Sequence, residues 1–246
     1  MPAADIYTST PLLKNEKSIR LLTLEPSRRP IDALVSTLDV ASIAYPTEDL
    51  LPSYHALSYV WGNYHSPKDT LRCGTVDIPI TRNCRDALRA VRSLYKTPIT
   101  IWVDAICINQ ADIMEKEQQI EIMSDIYIWA YVVDIWLGEG SNDSWQAMKW
   151  LEKAAETNYL PLERIRAYRD PTLPQSIELP REMSKTTFRR VSSYYYSVDP
   201  DEFERCMDDF LRREWFLRAW TFQEAILSRN GSIAIQSQRR CSKNRL

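Results

Sequence analysis

Residues 101–110 read Ile101-Trp-Val-Asp-Ala-Ile-Cys-Ile-Asn-Gln110, an apolar and β-favouring stretch that carries an aspartate and an Asn-Gln pair. Removing a carboxylate from water without partners costs several kcal/mol, so Asp104 needs hydrogen-bond partners or a functional role. We interpret the stretch as a strand with Asp104 near its end. Asp104 then either belongs to a binding site or fixes the loop that carries Asn109 and Gln110, and the second role is the simpler one.

The segments around this stretch alternate between strand and helix patterns. Residues 54–61 form an apolar run that Gly62 closes, and residues 132–137 form another. Between them an apolar stripe follows Asn83, a residue type that favours helix N-termini. This order predicts an α/β fold with a mainly parallel sheet flanked by helices. Because such sheets bind ligands beyond the carboxyl ends of their strands, Gly62 and residues 104–110 are expected near any site.

A helix is predicted to follow the central stretch, from residue 112 to about residue 130. Asp112 and Glu115 have the spacing of a capping box. The apolar side that is expected to be buried consists of Ile113, Ile120, Met123, Ile126, Tyr127 and Ala130. The side that is expected to face water consists of Glu115, Lys116, Glu117 and Glu121.

The chain is predicted to contain one domain with two flanking segments. Residues 1–17 form an N-terminal extension, residues 18–235 form the domain, and residues 236–246 form a basic tail that is disordered or truncated. A loop-rich insertion, partly helical, is expected at residues 159–198 because this region has no clear hydrophobic period. Asp199 and Pro200 mark the start of a helix or a bent pair of helices that is expected to run to about residue 227.

Composition and charge exclude several classes of protein. The 31 basic and 33 acidic residues give a net charge of −2, and the chain shows no basic footprint for nucleic acid or anionic membranes. No stretch approaches the roughly 18 apolar residues of a membrane span, so a soluble, cytoplasmic protein is expected. The 5 cysteines lack a C-x-x-C pair and the 2 histidines complete no usual zinc spacing, which predicts no metal and no bound cofactor. Cys107, with no histidine near it, is interpreted as inert core packing.

Three segments of the chain together resemble the fungal heterokaryon incompatibility (HET) domain. They read Tyr54-His-Ala-Leu-Ser-Tyr-Val-Trp-Gly62, Trp102-Val-Asp-Ala-Ile-Cys-Ile-Asn-Gln110 continuing to Trp136-Leu-Gly138, and Trp215-Phe-Leu-Arg-Ala-Trp-Thr-Phe-Gln-Glu224. The resemblance covers roughly residues 18–235. It implies a role in non-self recognition, in which genetically different fungal cells fuse and a regulated cell death follows.

A deeper resemblance is to the Toll/interleukin receptor (TIR) domain, a flavodoxin-like parallel sheet of which some members cleave the nicotinamide from NAD. This resemblance implies that Glu224 is catalytic and that Trp220 lies on the same helix face, where it binds substrate. A carboxylate there would stabilise the oxocarbenium-like state, and a cationic pyridinium leaves without a general acid. The plain alternative for Glu224 is a solvated surface residue.

Four further residues are predicted to bind the substrate. Trp61 either stacks on an adenine or nicotinamide ring or closes the core at the end of its strand. Gly62 either lets the backbone approach a ligand or ends the strand, and Asp104 either orients a ribose or anchors its loop. Ser58 lies in the segment that resembles the first core strand of TIR domains.

Three functional hypotheses follow from these observations. The first is a HET-domain effector that hydrolyses NAD, with NAD as substrate and not as cofactor. The second is a non-enzymatic signalling module that acts by self-association or by binding an incompatibility partner protein. The third is an inactive, truncated copy, which the weak final strand and the basic tail favour.

Overall fold

A computed structural model of the protein describes residues 4–14, 16–44, 53–62, 69–157, 199–218, 231–236 and 244–245. The chain divides into two compact units. The first unit comprises Met1–Gly140 and Arg213–Leu246, and the second comprises Ser141–Arg212.

The first unit contains the alternating strands and helices that the sequence predicts. Its helices are α1 (Ala4–Ser9), α2 (Arg82–Arg92), α3 (Asp104–Cys107), α4 (Ile113–Glu121) and α5 (Met123–Trp129), with a 3₁₀ turn at Glu214–Leu217. Its strands are β1 (Ser18–Leu24), β2 (Leu34–Ser42), β3 (His55–Tyr59), β4 (Asp69–Cys73), β5 (Val76–Ile80), β6 (Ile99–Trp102), β7 (Val132–Glu139), β8 (Gly231–Gln236) and β9 (Asn244–Arg245).

The described strands of this unit form one mixed sheet in the order β5-β4-β2-β1-β6-β3-β7-β8-β9. The four adjacent strands β6, β3, β7 and β8 are parallel to one another. Strand β1 is antiparallel to both β2 and β6, and the β4–β5 hairpin pairs with β2 through β4. The α/β fold class is thereby confirmed.

Strands β3 and β7 are interior strands of the sheet, and each contains a continuous run of buried residues. Continuous apolar runs, without alternation, are typical of parallel strands that are covered on both faces. One polar pair interrupts this core, since His55 Nδ1 lies 2.7 Å from Asp134 Oδ2 and the Asp134 side chain is 2% exposed.

The central stretch is shorter as a strand than the sequence predicts. Strand β6 ends at Trp102, and Asp104 begins the helical turn α3, so the predicted strand over residues 101–110 is wrong beyond its second residue. The Asp104 carboxylate accepts the amide of Ala105 at 2.7 Å, an interaction that favours an acidic residue at the start of a helix. Cys107 therefore lies buried in this turn and not in a strand.

Helix α4 departs from the prediction on its inward side, while the predicted burial of Ile126, Tyr127 and Ala130 and the predicted exposure of Lys116, Glu117 and Glu121 are confirmed. Asp112 caps it as expected and accepts the Glu115 amide at 3.1 Å. Ile113 and Ile120, however, are 71% and 44% exposed, whereas Gln119 is buried and the Glu115 side chain is 13% exposed. The predicted helix over residues 112–130 is also interrupted, because α4 and α5 meet at Ile122.

Glu115 of α4 faces inward because it binds a buried arginine on β1. Arg20 of that strand is 1% exposed, and its guanidinium forms two hydrogen bonds with the Glu115 carboxylate, at 2.6 and 3.0 Å. Arg20 also donates to the carbonyl oxygens of Thr10 at 2.7 Å and Cys107 at 3.2 Å. A buried guanidinium requires a carboxylate and several acceptors, so the polar side of α4 turns inward.

The second unit consists of two described helices, α6 (Asn142–Thr157) and α7 (Pro200–Leu211). Asp199 caps α7 and Pro200 occupies its first turn, as the sequence predicts. A single continuous helix to residue 227 is wrong, because α7 ends at Leu211 and the chain continues into the 3₁₀ turn, whereas residues 219–227 of the predicted segment lie outside the described residues. The predicted insertion at residues 159–198 lies outside the described residues. Among the described helices, none combines the length and the apolar character that a membrane crossing demands.

The first prediction concerns the buried ion pair. Arg20→Leu should lower the free energy of unfolding by about 3–5 kcal/mol, because it leaves Glu115 buried without its countercharge. Arg72→Leu is the matched control, since Arg72 forms a similar pair with Asp77 but both side chains are more than half exposed. The control should lose no more than about 1 kcal/mol in urea denaturation followed by circular dichroism. Equal losses in the two variants would contradict the assignment.

Candidate functional site

A cleft in the first unit lies beyond the carboxyl ends of β3 and β7, next to the N-terminus of α2. It has a volume of about 370 Å³. This is the sheet edge at which parallel α/β folds bind their ligands. The described residues that line the cleft are Trp61, Gly62, Thr81, Arg82, Asn83, Asp86, Trp136 and Glu139.

Asn83 ties together the three elements that surround the cleft. Its amide nitrogen donates to the carbonyl oxygen of Val60, and its amide oxygen accepts from Trp136 Nε1 at 3.1 Å. The prediction that Asn83 caps α2 is wrong, because Thr81 is the N-cap and its hydroxyl accepts the amide of Cys84 at 3.2 Å. The Asn83 side chain is thus available to hold the end of β3 and the Trp136 ring.

Trp61 and Gly62 form the wall of the cleft that follows β3. The half-buried Trp61 donates its indole N–H to Asp104 Oδ2 at 2.8 Å, which fixes the ring. Gly62 has φ of 75°, a conformation that side-chain-bearing residues rarely adopt. A Cβ at this position would lie 3.6 Å from the Cβ of Asn83, an ordinary contact, so the backbone conformation and not the space requires glycine.

Asp104 therefore contributes to the cleft through Trp61. The side-chain amide of Gln110 donates to the Asp104 backbone oxygen at 2.9 Å, so Asp104 contacts the Asn109-Gln110 loop as the sequence predicts. Glu115 holds the same loop by accepting the backbone amide of Asn109 at 2.6 Å.

Three charged side chains line the cleft. Two of them lie near the N-terminus of α2, and one lies at the end of β7. Arg82 is 72% exposed and lies 3.8 Å from Asp86, which Arg85 also contacts at 2.8 Å. Glu139 is exposed at the end of β7. The cleft consequently offers one solvent-accessible guanidinium and two carboxylates around the aromatic residues.

The remaining predicted site residues lie elsewhere. Ser58 is 1% exposed, and its hydroxyl accepts from Trp215 Nε1 at 2.7 Å in the interior, so it is not among the residues that line the cleft. Trp220 and Glu224 lie outside the described residues. The described chain before them ends at Arg218, whose guanidinium donates to the carbonyl oxygen of Tyr59 at 2.6 Å, at the carboxyl end of β3.

Sequence reasoning missed Arg82, Asn83 and Trp136 as cleft residues. Trp136 is part of the motif that ends at Gly138, and the pairing of β7 with β3 places it opposite Tyr59. Its position near the end of a predicted strand was the one feature of the sequence that indicated a cleft residue. Arg82 and Asn83 carried no such signal, since they lie in a helix that follows an outer hairpin.

The buried cysteines near the cleft are chemically inert. Cys84 and Cys107 are both fully buried, and burial raises the pKa of each thiol to about 12. Since the thiolate is the nucleophile, neither cysteine can serve as one near neutral pH.

Comparison with known proteins establishes the family of the chain. The sequence model of the family described as heterokaryon incompatibility protein (HET) matches residues 54–224. The chain therefore belongs to the HET family, and the resemblance identified from the three motifs is confirmed.

Among individual proteins, heterokaryon incompatibility protein 6, OR allele, of Neurospora crassa is 32% identical over 244 residues. The alignment covers 90% of this chain and 33% of that relative, so the chain spans about a third of the relative's length. No solved structure matches the chain.

The second prediction concerns the thiols. In native protein at pH 8, alkylation of Cys84 and Cys107 should be at least about a hundredfold slower than in unfolded protein, because a pKa near 12 leaves almost no thiolate. Mass spectrometry of peptides after timed treatment with iodoacetamide measures both rates. In folded protein, the alkylation rate of both cysteines should rise as the pH approaches 12, because the thiols ionise or the fold opens. Rapid labelling of Cys107 in folded protein at pH 8 would contradict its assignment as an inert core residue.

Proposed function

We propose that this HET-family chain acts in fungal heterokaryon incompatibility and regulated cell death, and that its cleft binds and hydrolyses NAD. The observation that supports this proposal best is the composition of the cleft. Two tryptophans, an exposed arginine and the N-terminus of α2 meet at the carboxyl edge of the parallel strands. This combination suits a ligand that has flat aromatic rings and phosphates.

The aromatic part of the ligand is accommodated by Trp61. Its ring is half-buried and its N–H is bonded to Asp104, so the ring is held in place before any ligand arrives. Trp136 is 1% exposed and forms part of the floor of the cleft. Asp104 and Asn83 act here as positioning residues, each through one indole.

The phosphates are accommodated at the N-terminus of α2. The first backbone amides of a helix and its dipole favour an anion, and Arg82 adds a full positive charge there. The exposed carboxylate of Glu139 is placed to accept hydrogen bonds from ribose hydroxyls on the other side of the cleft.

The reaction follows from the chemistry of the nicotinamide–ribose bond. The bond between the ribose anomeric carbon and the pyridinium nitrogen breaks, and neutral nicotinamide departs with the bonding electrons. Water then forms a bond to the anomeric carbon and loses a proton. In this proposal Glu224 stabilises the oxocarbenium-like state. The support for this assignment is the resemblance of Trp220 and Glu224 to a tryptophan and a catalytic glutamate four residues apart in TIR domains.

The third prediction tests the catalytic carboxylate. Purified protein should release nicotinamide from NAD, and Glu224→Gln should abolish the release while the melting temperature stays unchanged. Chromatographic measurement of nicotinamide over time gives the rate. Glu202→Gln is the matched control, because Glu202 is an acidic residue in the first turn of α7, in the other unit. Release that continues at the same rate in Glu224→Gln would overturn the catalytic assignment.

The fourth prediction tests the cleft independently of the chemistry. Arg82→Ala should weaken NAD binding about tenfold or more, since a hydrogen bond to a charged group contributes about 1.5–3 kcal/mol. Isothermal titration calorimetry on the Glu224→Gln background measures binding without turnover. Arg72→Ala, at an exposed arginine on β4, should leave the affinity unchanged. Equal affinities in the two variants would exclude the cleft as the NAD site. Cell death that persists with Glu224→Gln would instead favour a non-enzymatic signalling module.

A further inference from the structure

Helix α4 presents its apolar side to solvent. Ile113, Met114 and Ile120 are 71%, 65% and 44% exposed, and with Lys116 and Glu117 they make up the outward surface that we term the α4 face. Single exposed apolar residues are common, but several on one short helix are characteristic of an interaction site.

The α4 face cannot be buried by rotation of the helix. Glu115 on the inward side is bonded to Arg20 and to the backbone amide of Asn109, and the side-chain amide of Gln119 donates to the Ser18 carbonyl oxygen at 2.9 Å. Turning the isoleucines inward would leave the buried Arg20 guanidinium without a carboxylate. The exposure of Ile113 and Ile120 is therefore fixed by the fold.

We propose that the α4 face docks against the α4 face of a second copy of this chain, with the two helices antiparallel. In this arrangement a two-fold axis passes between Lys116 and Glu117. The proposal is independent of the activity proposed for the cleft.

The α4 face is complementary to itself under this symmetry. Ile113 and Ile120 are equally far from the axis, so each isoleucine of one copy meets the other isoleucine of its partner copy. Lys116 and Glu117 are likewise equally far from it, so the same axis generates two ion pairs of opposite charge. An isologous contact requires that residue i meets j and that j meets i, and four of the five residues of the α4 face, all except Met114, satisfy that condition.

The contact is expected to be weak and reversible. A helix of nine residues provides less surface than the roughly 1,200–2,000 Å² of a stable interface. Self-association should accordingly depend on protein concentration, and it should increase at low ionic strength, where exposed ion pairs are screened less.

Sedimentation velocity of the whole chain, from micromolar to millimolar concentration, tests the proposal. We expect a monomer–dimer equilibrium that Ile120→Ser shifts to monomer at all concentrations. Ile31→Ser is the matched control, because Ile31 is 73% exposed on a loop outside the α4 face, and it should leave the equilibrium unchanged. A wild-type chain that remains monomeric throughout, or a dimer that Ile120→Ser does not weaken, would overturn the proposal.

Charge reversal tests the antiparallel register and does not depend on the isoleucine variants. Lys116→Glu and Glu117→Lys should each reduce the association constant severalfold, because each places like charges opposite one another. The double variant should restore association to the wild-type level, since it exchanges the two partners and keeps both ion pairs. Both positions are exposed, so melting temperatures should be unchanged. Failure of the double variant to restore association would overturn the arrangement.

Discussion

The bidentate ion pair between Arg20 and Glu115 is the constraint on which much of the first unit depends. A guanidinium that is 1% exposed cannot remain without acceptors, and here the acceptors come from three different segments. Thr10 supplies one from the N-terminal extension, Cys107 supplies one from α3, and Glu115 supplies two from α4. One buried charge thus fixes three segments against β1. The residues before position 18 consequently take part in the packing of the domain, and the Tyr7 hydroxyl adds a bond to Ile106.

Asp104 and Glu115, two carboxylates of the long motif that begins at Trp102, have different roles. Glu115 accepts the Asn109 amide in addition to binding Arg20, and Asp104 accepts the side-chain amide of Gln110 through its backbone oxygen, so both residues hold the loop. The Asp104 carboxylate also binds the Trp61 indole, which lines the cleft. The two residues are both acidic, and both follow the same strand. Their carboxylates have different partners, a buried guanidinium for Glu115 and an indole N–H for Asp104.

The sequence predicts those parts of the fold that depend on local patterns. Asp112 and Asp199 cap their helices as expected, because the spacing of a capping residue is a property of neighbouring residues. The orientation of α4 could not be predicted in this way. Its hydrophobic period favours burial of the isoleucines, but a long-range partner, 95 residues earlier in the chain, reverses the preference. Part of the cleft was missed for a similar reason. Asn83 forms hydrogen bonds with Val60, just after β3, and with Trp136 of β7, which are 23 and 53 residues away in the chain.

The cleft is organised before it binds anything, and this has consequences for its energetics. Both indole N–H groups at the cleft are already bonded, to Asp104 and to Asn83, and Gly62 holds the turn between them in a conformation that few other residues can adopt. A ligand that enters such a site does not have to order these side chains, so less of its interaction energy is lost on binding. The cost of this order was met during folding, when Asp104 was placed at the start of α3 and Asn83 in the first turn of α2. Asp104, within the stretch that identifies the family, therefore contributes to the cleft through the geometry it imposes on Trp61, and this role requires no contact with a ligand.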